Sequence, residues 1–110
     1  MSLEFLGKTI ATDDEGYLCH LSDYSEELRE HLAKLKGISL NDDQRFIIAT
    51  IRAYYEEFNA MPLRRILFKI FKEKGRADLA QSVVLARLFG DKATPIIALL
   101  AGLPKPASCI

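Results

Sequence analysis

Long apolar runs are missing from this sequence. None approaches the roughly 20 residues that a membrane-spanning helix requires, and no basic region followed by a long apolar segment opens the chain. The chain therefore reads as cytoplasmic, with no membrane partner. Cysteine is scarce: Cys19 and Cys109 lie 90 positions apart, which gives neither a disulfide framework nor metal-ligand spacing. A phosphate-binding glycine loop and a paired-carboxylate arrangement are also missing, so no cofactor and no metal are expected. Net charge is absent as well. The 15 Lys and Arg balance 15 Asp and Glu, which removes any whole-chain case for a nucleic-acid or membrane surface. The balance hides an asymmetry: residues 62–110 hold nine basic and three acidic residues, a net +6 mirrored by −6 in residues 1–61.

What is present suffices for one core. With 110 residues, 49% of them apolar, the chain is long enough for a single domain and too short for two. Apolar and polar residues alternate around Gly7-Lys8 and again after Asp14-Glu15-Gly16, which predicts a small β-hairpin with irregular ends over residues 3–21. The period then changes to about 3.6. Asp23 with Glu26 predicts a capping box, and Tyr24, Leu28, Leu32 and Leu35 fall on one helical face closed by Gly37. Asn41 with Gln44 repeats the pattern for a second helix ending near Asn59, its stripe formed by Ile47, Ile51, Tyr54, Tyr55 and Phe58. The three aromatics are expected in the core, with one tyrosine hydroxyl reaching water.

Pro62 suits the first turn of a third helix, with Ile66, Leu67, Ile70 and Phe71 facing one way and Gly75 ending it. A fourth is predicted from Asp78 to Phe89 through Leu79, Val83 and Ala86. Thr94-Pro95 reads as cap and first-turn proline of a short fifth helix closed by Gly102. The expectation is a mainly α protein: about five helices in residues 22–101, an amino-terminal hairpin, and a mobile arm over residues 102–110.

That arm reads "GLPKPASCI". Pro104 and Pro106 lack an amide proton and push Leu103 and Lys105 toward extended geometry. Seven steps of polyproline-like chain would carry Cys109 up to roughly 22 Å from Gly102. A thiol attacks as thiolate, and only about 3% of an ordinary cysteine is ionised at neutral pH. Cys109 has no basic neighbour nearer in sequence than Lys105, and the terminal carboxylate opposes its ionisation. The two histidines, His20 and His31, belong to the other half of the chain and read as surface residues. The arm is thus no self-contained active site but a segment suited to enter a partner's. Cys19 reads as incidental.

The ending "AGLPKPASCI" resembles the carboxyl-terminal arm of the DsrC/TusE family of sulfur-carrier proteins. "GKTIATDDEGYL", "LSDYSEEL", "GISL", "YYEEFNAMPLRRIL" and "RLF" resemble the family's opening hairpin, first cap, first interhelical loop, second-to-third helix junction and fourth-helix end. The resemblance implies an orthogonal helical bundle and a carrier of the sulfurtransferase type rather than a stand-alone enzyme. Cys109 would hold sulfur as a persulfide, and Gly102, Leu103, Pro104, Lys105 and Pro106 would form the binding arm, with Arg65 as an arm or partner contact.

Members of the DsrC branch carry a second arm cysteine where this chain has Ala98, so the pattern here is the single-cysteine, TusE-like one. The implied partners are a TusBCD-like donor and an MnmA-like acceptor in tRNA 2-thiouridine synthesis, or a sulfite-reductase-like complex in sulfur metabolism. The chain departs from the family where a His-Trp pair is usual, which here is Gln44-Arg45, and again over "GRADLAQSVVLARLFGDKATPII".

A competing reading is a regulator that binds nucleic acid through the third helix. Arg64, Arg65, Lys69, Lys72, Lys74 and Arg76 stand there against Glu73. Against it stands the simpler reading that long basic side chains solvate an outer helical face.

Overall fold

A computed structural model describes residues 1–106 of the chain. Among them, a two-stranded antiparallel hairpin precedes five α-helices, the mainly helical architecture that the sequence predicts. Strand β1 (Ser2–Phe5) pairs with β2 (Lys8–Ala11), Phe5 opposite Lys8. The turn is Leu6-Gly7, and both residues have positive φ (49° and 77°), the signature of the type I′ turn that suits strand twist. A second reversal follows. The Asp13 carboxylate accepts from the backbone N–H groups of Glu15 (2.9 Å) and Tyr17 (3.0 Å), and Thr12 bridges to Leu18 beyond it.

Helix α1 (Glu26–Leu35) is capped by Ser25, whose side chain accepts from Leu28 N–H at 3.0 Å. The cap predicted at Asp23 is corrected: that residue ends a 3-10 turn, Leu21–Asp23, in front of the helix. Leu28 and Leu32 face the core as expected, but Leu35 is 62% exposed. Helix α2 (Asp42–Phe58) carries the predicted capping box, with Asn41 accepting from Gln44 N–H and the Gln44 side chain accepting from Asn41 N–H. Its C-cap Asn59 sits in the left-handed region. Ile47, Ile48 and Ile51 are fully buried, whereas Phe58 is 57% exposed. The aromatic end of the predicted stripe therefore runs past the core, and Tyr54 and Phe58 stack on each other with ring centroids 4.5 Å apart.

Helix α3 (Arg64–Glu73) buries Leu67 and Phe71. Pro62 precedes its N-cap, Leu63, rather than standing in its first turn. Helix α4 (Ser82–Phe89) is shorter than predicted, since Ala77–Leu79 forms a separate 3-10 turn. Its later start changes its phase. Leu85 and Phe89 face inward and Val83 is 59% exposed, which reverses the predicted face. Helix α5 (Ala93–Leu100) begins after Lys92, with Thr94 inside the helix rather than capping it.

Ile97, Ala98, Leu99 and Leu100 of α5 are all buried, and the helix packs against α1, α2 and α4. A helix apolar on every side belongs at the centre of a bundle. Each large side chain buried there and around it contributes about 1.5–3 kcal/mol. The central place of α5 matters because the C-terminal arm continues directly from its end. Among the described residues, no helix is long and apolar enough to cross a membrane.

Candidate functional site: the root of the C-terminal arm

Helix α5 ends in a Schellman motif. Leu103 N–H donates to Ala98 C=O at 3.0 Å and Gly102 N–H to Leu99 C=O at 3.2 Å, which satisfies carbonyls that a helix end leaves unpaired. Gly102 takes φ +69°, and a Cβ added there would lie 2.7 Å from Cδ1 of Tyr24. Only glycine meets both conditions. Leu103 is fully buried, completing the motif's apolar contact. Pro104 and Lys105 are exposed and Pro106 is half-buried. Gly102 and Leu103, expected as arm, are thus part of the core, and the chain leaves the body at Pro104.

Two contacts hold the exit. Lys105 Nζ lies 2.8 Å from Glu15 Oε1 on the Asp13-anchored turn, and this hydrogen bond raises the Lys105 pKa above its ordinary value. Both partners are about half exposed, so this is a weak, salt-screened tie. The stronger contact comes from α2. Arg52 Nη1 donates to the Ala101 carbonyl at 2.7 Å and Nη2 to the Leu21 carbonyl at 2.9 Å. The same guanidinium lies 4.1 Å from the centre of the Tyr24 ring, within cation–π range. Burial raises the Tyr24 pKa. A cavity of about 370 Å³ lies between Pro104, Lys105 and Pro106 on one side and Tyr55, Asn59 and Met61 on the other.

The other sequence-derived residues are dispersed. Cys109 lies outside the described residues. Arg65 is exposed on α3 and makes no hydrogen bond or ion pair with residues 102–106. Cys19 and His20 are exposed, and His31 packs on Phe5 with ring centroids 5.1 Å apart. Among the described residues no cluster could hold a metal. Arg76 of the basic segment is held by Asp43 (2.7 Å) and Asp78 (3.0 Å) and lies over the Phe46 ring.

Gln44, which stands where the resembled family usually has histidine, donates from Nε2 to Leu88 C=O at 2.8 Å and so ties the start of α2 to the end of α4. Arg52 escaped the sequence reading. Its signal was available: Ile48, Ile51, Arg52 and Tyr55 occupy the i, i+3, i+4 and i+7 positions of one face, so a cation stood on an apolar stripe.

Known proteins resemble this chain over nearly its whole length. Residues 4–110 match the family described as DsrC like protein. The chain belongs to the DsrC family. Sulfurtransferase TusE of Yersinia pestis is 40% identical over 108 residues, covering 98% of this chain and 99% of the relative. Sulfurtransferase TusE of Escherichia coli K12 gives the same identity and coverage. Among solved structures, Allochromatium vinosum DsrC superposes with a TM-score of 0.85 at 34% identity, covering both chains fully. The oxidized γ-subunit of dissimilatory sulfite reductase (DsrC) from Archaeoglobus fulgidus gives 0.83 at 28% identity, again over both full chains. Kinship of this extent to sulfurtransferases and to DsrC supports a sulfur-relay carrier, and nothing in it favours a nucleic-acid-binding DsrC-family member.

Proposed function

We propose that this DsrC-family chain is a cytoplasmic sulfur-relay carrier in which Cys109 accepts sulfur from a donor protein's persulfide and passes it to an acceptor. The observation that carries this reading is the built exit of the arm: a buried Gly102-Leu103 root followed at once by exposed Pro104 and Lys105. A root so anchored fixes where Pro104 follows on from the core, and the prolines lower the ordering cost of docking in a partner's pocket.

In the loading step the Cys109 thiolate attacks the outer sulfur of the donor persulfide. A bond forms between Sγ and that sulfur, the donor's S–S bond breaks, and the donor cysteine leaves as thiolate with its electron pair. Discharge repeats the exchange with Cys109 as the leaving thiolate, so no net oxidant or reductant is consumed. Likeness to TusE supports a TusBCD-like donor and an MnmA-like acceptor over a sulfite-reductase-like complex, because Ala98 stands where a second arm cysteine would be needed.

Mass spectrometry tests the reading. After incubation with a cysteine desulfurase, L-cysteine and a persulfide relay protein of the TusBCD type, Cys109 is expected to gain the mass of one sulfur, and Cys109→Ser to gain none. A native chain that stays unmodified with every such donor overturns it.

A further inference from the structure

We propose that Arg52 is a positioning residue for sulfur transfer, one that sets the direction in which the arm leaves the body. The proposal rests on the carrier reading for its consequence but not for its geometry.

Three segments meet at this guanidinium. It stands on α2, donates to Leu21 in front of α1 and donates to Ala101 at the end of α5. The Schellman bonds already occupy the carbonyls of Ala98 and Leu99, and Arg52 takes the Ala101 carbonyl beyond them. The peptide linking Ala101 to Gly102 is therefore held at both ends. Arg52 grips its oxygen, and the Tyr24 ring, itself under the guanidinium at 4.1 Å, closes on the Gly102 α-carbon so tightly that no side chain fits. Once that peptide plane is fixed, so is the heading of Leu103 and Pro104.

The grip is also shielded. The Arg52 side chain is 13% exposed, whereas the Lys105–Glu15 pair further along is 58% and 49% exposed and yields to salt. Its own ion pair, Nε to Glu56 at 3.7 Å, is too long to hold the guanidinium as the carbonyls do.

Leverage makes the heading matter. Six residue steps lead from Leu103 to Cys109, a reach of at most about 20 Å. A tilt of about 20° at the root would then displace the tip by about 7 Å at full reach. Reacting atoms need placement within about 1 Å, and misplacement on that scale costs about a hundredfold in rate.

The test reads direction and transfer separately. In a Cys19→Ser, Arg87→Cys background, nitroxide labels on Cys109 and on the new cysteine of α4 report the arm's distance distribution by electron–electron dipolar spectroscopy. With Arg52 the distribution is expected to have one dominant distance. In Arg52→Met the mean is expected to move by about 5 Å or more, or the width to about double. In chains that keep Cys109 unlabelled, Arg52→Met is expected to take up persulfide sulfur from the same donor mixture about tenfold more slowly or worse. Alkylation of Cys109 by iodoacetamide is expected to stay within about twofold, because thiol reactivity follows local ionisation and access.

A loss of stability alone would move neither the distance nor the ratio of transfer to alkylation. Should Arg52→Met not fold, Arg52→Lys serves, since its single ammonium cannot hold both carbonyls in the same fork. Unchanged distance distributions, or a transfer rate that falls no further than alkylation, overturn the proposal. A native chain that takes up no sulfur overturns the carrier reading, while the distance measurement still decides whether Arg52 aims the arm.

Discussion

A methyl group at position 102 would stand 2.7 Å from Tyr24 Cδ1 and 3.1 Å from Leu18 Cδ1. The glycine is therefore fixed by packing as well as by its φ of +69°. Gly102→Ala combines the cost of a left-handed L-residue, about 1–2 kcal/mol, with overpacking of about 1–3 kcal/mol. We expect it to destabilise the fold by about 2–5 kcal/mol and to lower the thermal midpoint by about 10 °C or more. Urea or thermal unfolding checks this. By contrast, Gly75→Ala meets open space and is expected to cost only the backbone term.

Features written in adjacent residues were legible in the sequence, and those written across the chain were not. The Asn41–Gln44 box is reciprocal and local, and it stands as predicted. At α1 the predicted cap, Asp23, is absorbed by a 3-10 turn, and Ser25 two positions later caps the helix instead. At α4 the face was misread because phase follows from where a helix starts. Asp78 is drawn into a turn that also pairs with Arg76, and the helix starts four residues late. Arg52 shows the sharper limit. Its place on an apolar stripe was visible, but its partners are 31 and 49 positions away, and no local pattern encodes them. The arm itself was legible as a motif, while the burial of Gly102 and Leu103 depends on Tyr24 and Leu18 from the other end of the chain.

Acid stability should report on Glu30. Its carboxylate accepts from Arg45 (2.9 Å) and Arg29 (2.8 Å), and the hydrogen bond from Arg45, joined by that from Arg29, holds its pKa below the ordinary 4.5. A folded pKa below the unfolded one means that the stabilisation is present above about pH 4.5 and is lost as pH falls through the depressed folded value. The Glu30 side chain is 40% exposed, so the effect is small and shrinks with salt. We expect Glu30→Gln to lower the urea midpoint near neutral pH and to flatten its decline below about pH 4.5. Midpoints for the two proteins measured across that range check it.

The two cysteines should separate cleanly. Cys19 is exposed, with its backbone N–H donating to Ala11 C=O at 3.0 Å, and its side chain carries no part of the arm's root. Cys19→Ser is expected to leave persulfide uptake and thermal midpoint unchanged. Because Cys109 is then the single thiol of the chain, diamide treatment of Cys19→Ser is expected to yield dimers linked through Cys109, while Cys19→Ser and Cys109→Ser together yield none. Non-reducing electrophoresis with peptide mapping reads both outcomes.

Helix α2 gives the last contrast, because one apolar stripe there serves two purposes. Its 17 residues span about 26 Å, longer than the 10-residue α3 beside it, so its end projects past the packed interior. Ile51 is fully buried and Phe58 is 57% exposed on the same helix. Ile51→Ala removes buried methyl groups and leaves a cavity, so a cost of about 2–5 kcal/mol is expected. Phe58→Ala removes a larger side chain, yet most of what it loses is contact with water and with the Tyr54 ring, and a cost within about 1 kcal/mol is expected. Equal destabilisation of the two variants in urea would mean that the end of α2 is packed in solution. The expected inequality would place Phe58 on a groove of about 630 Å³ between α2 and α3 that stability does not require to be filled.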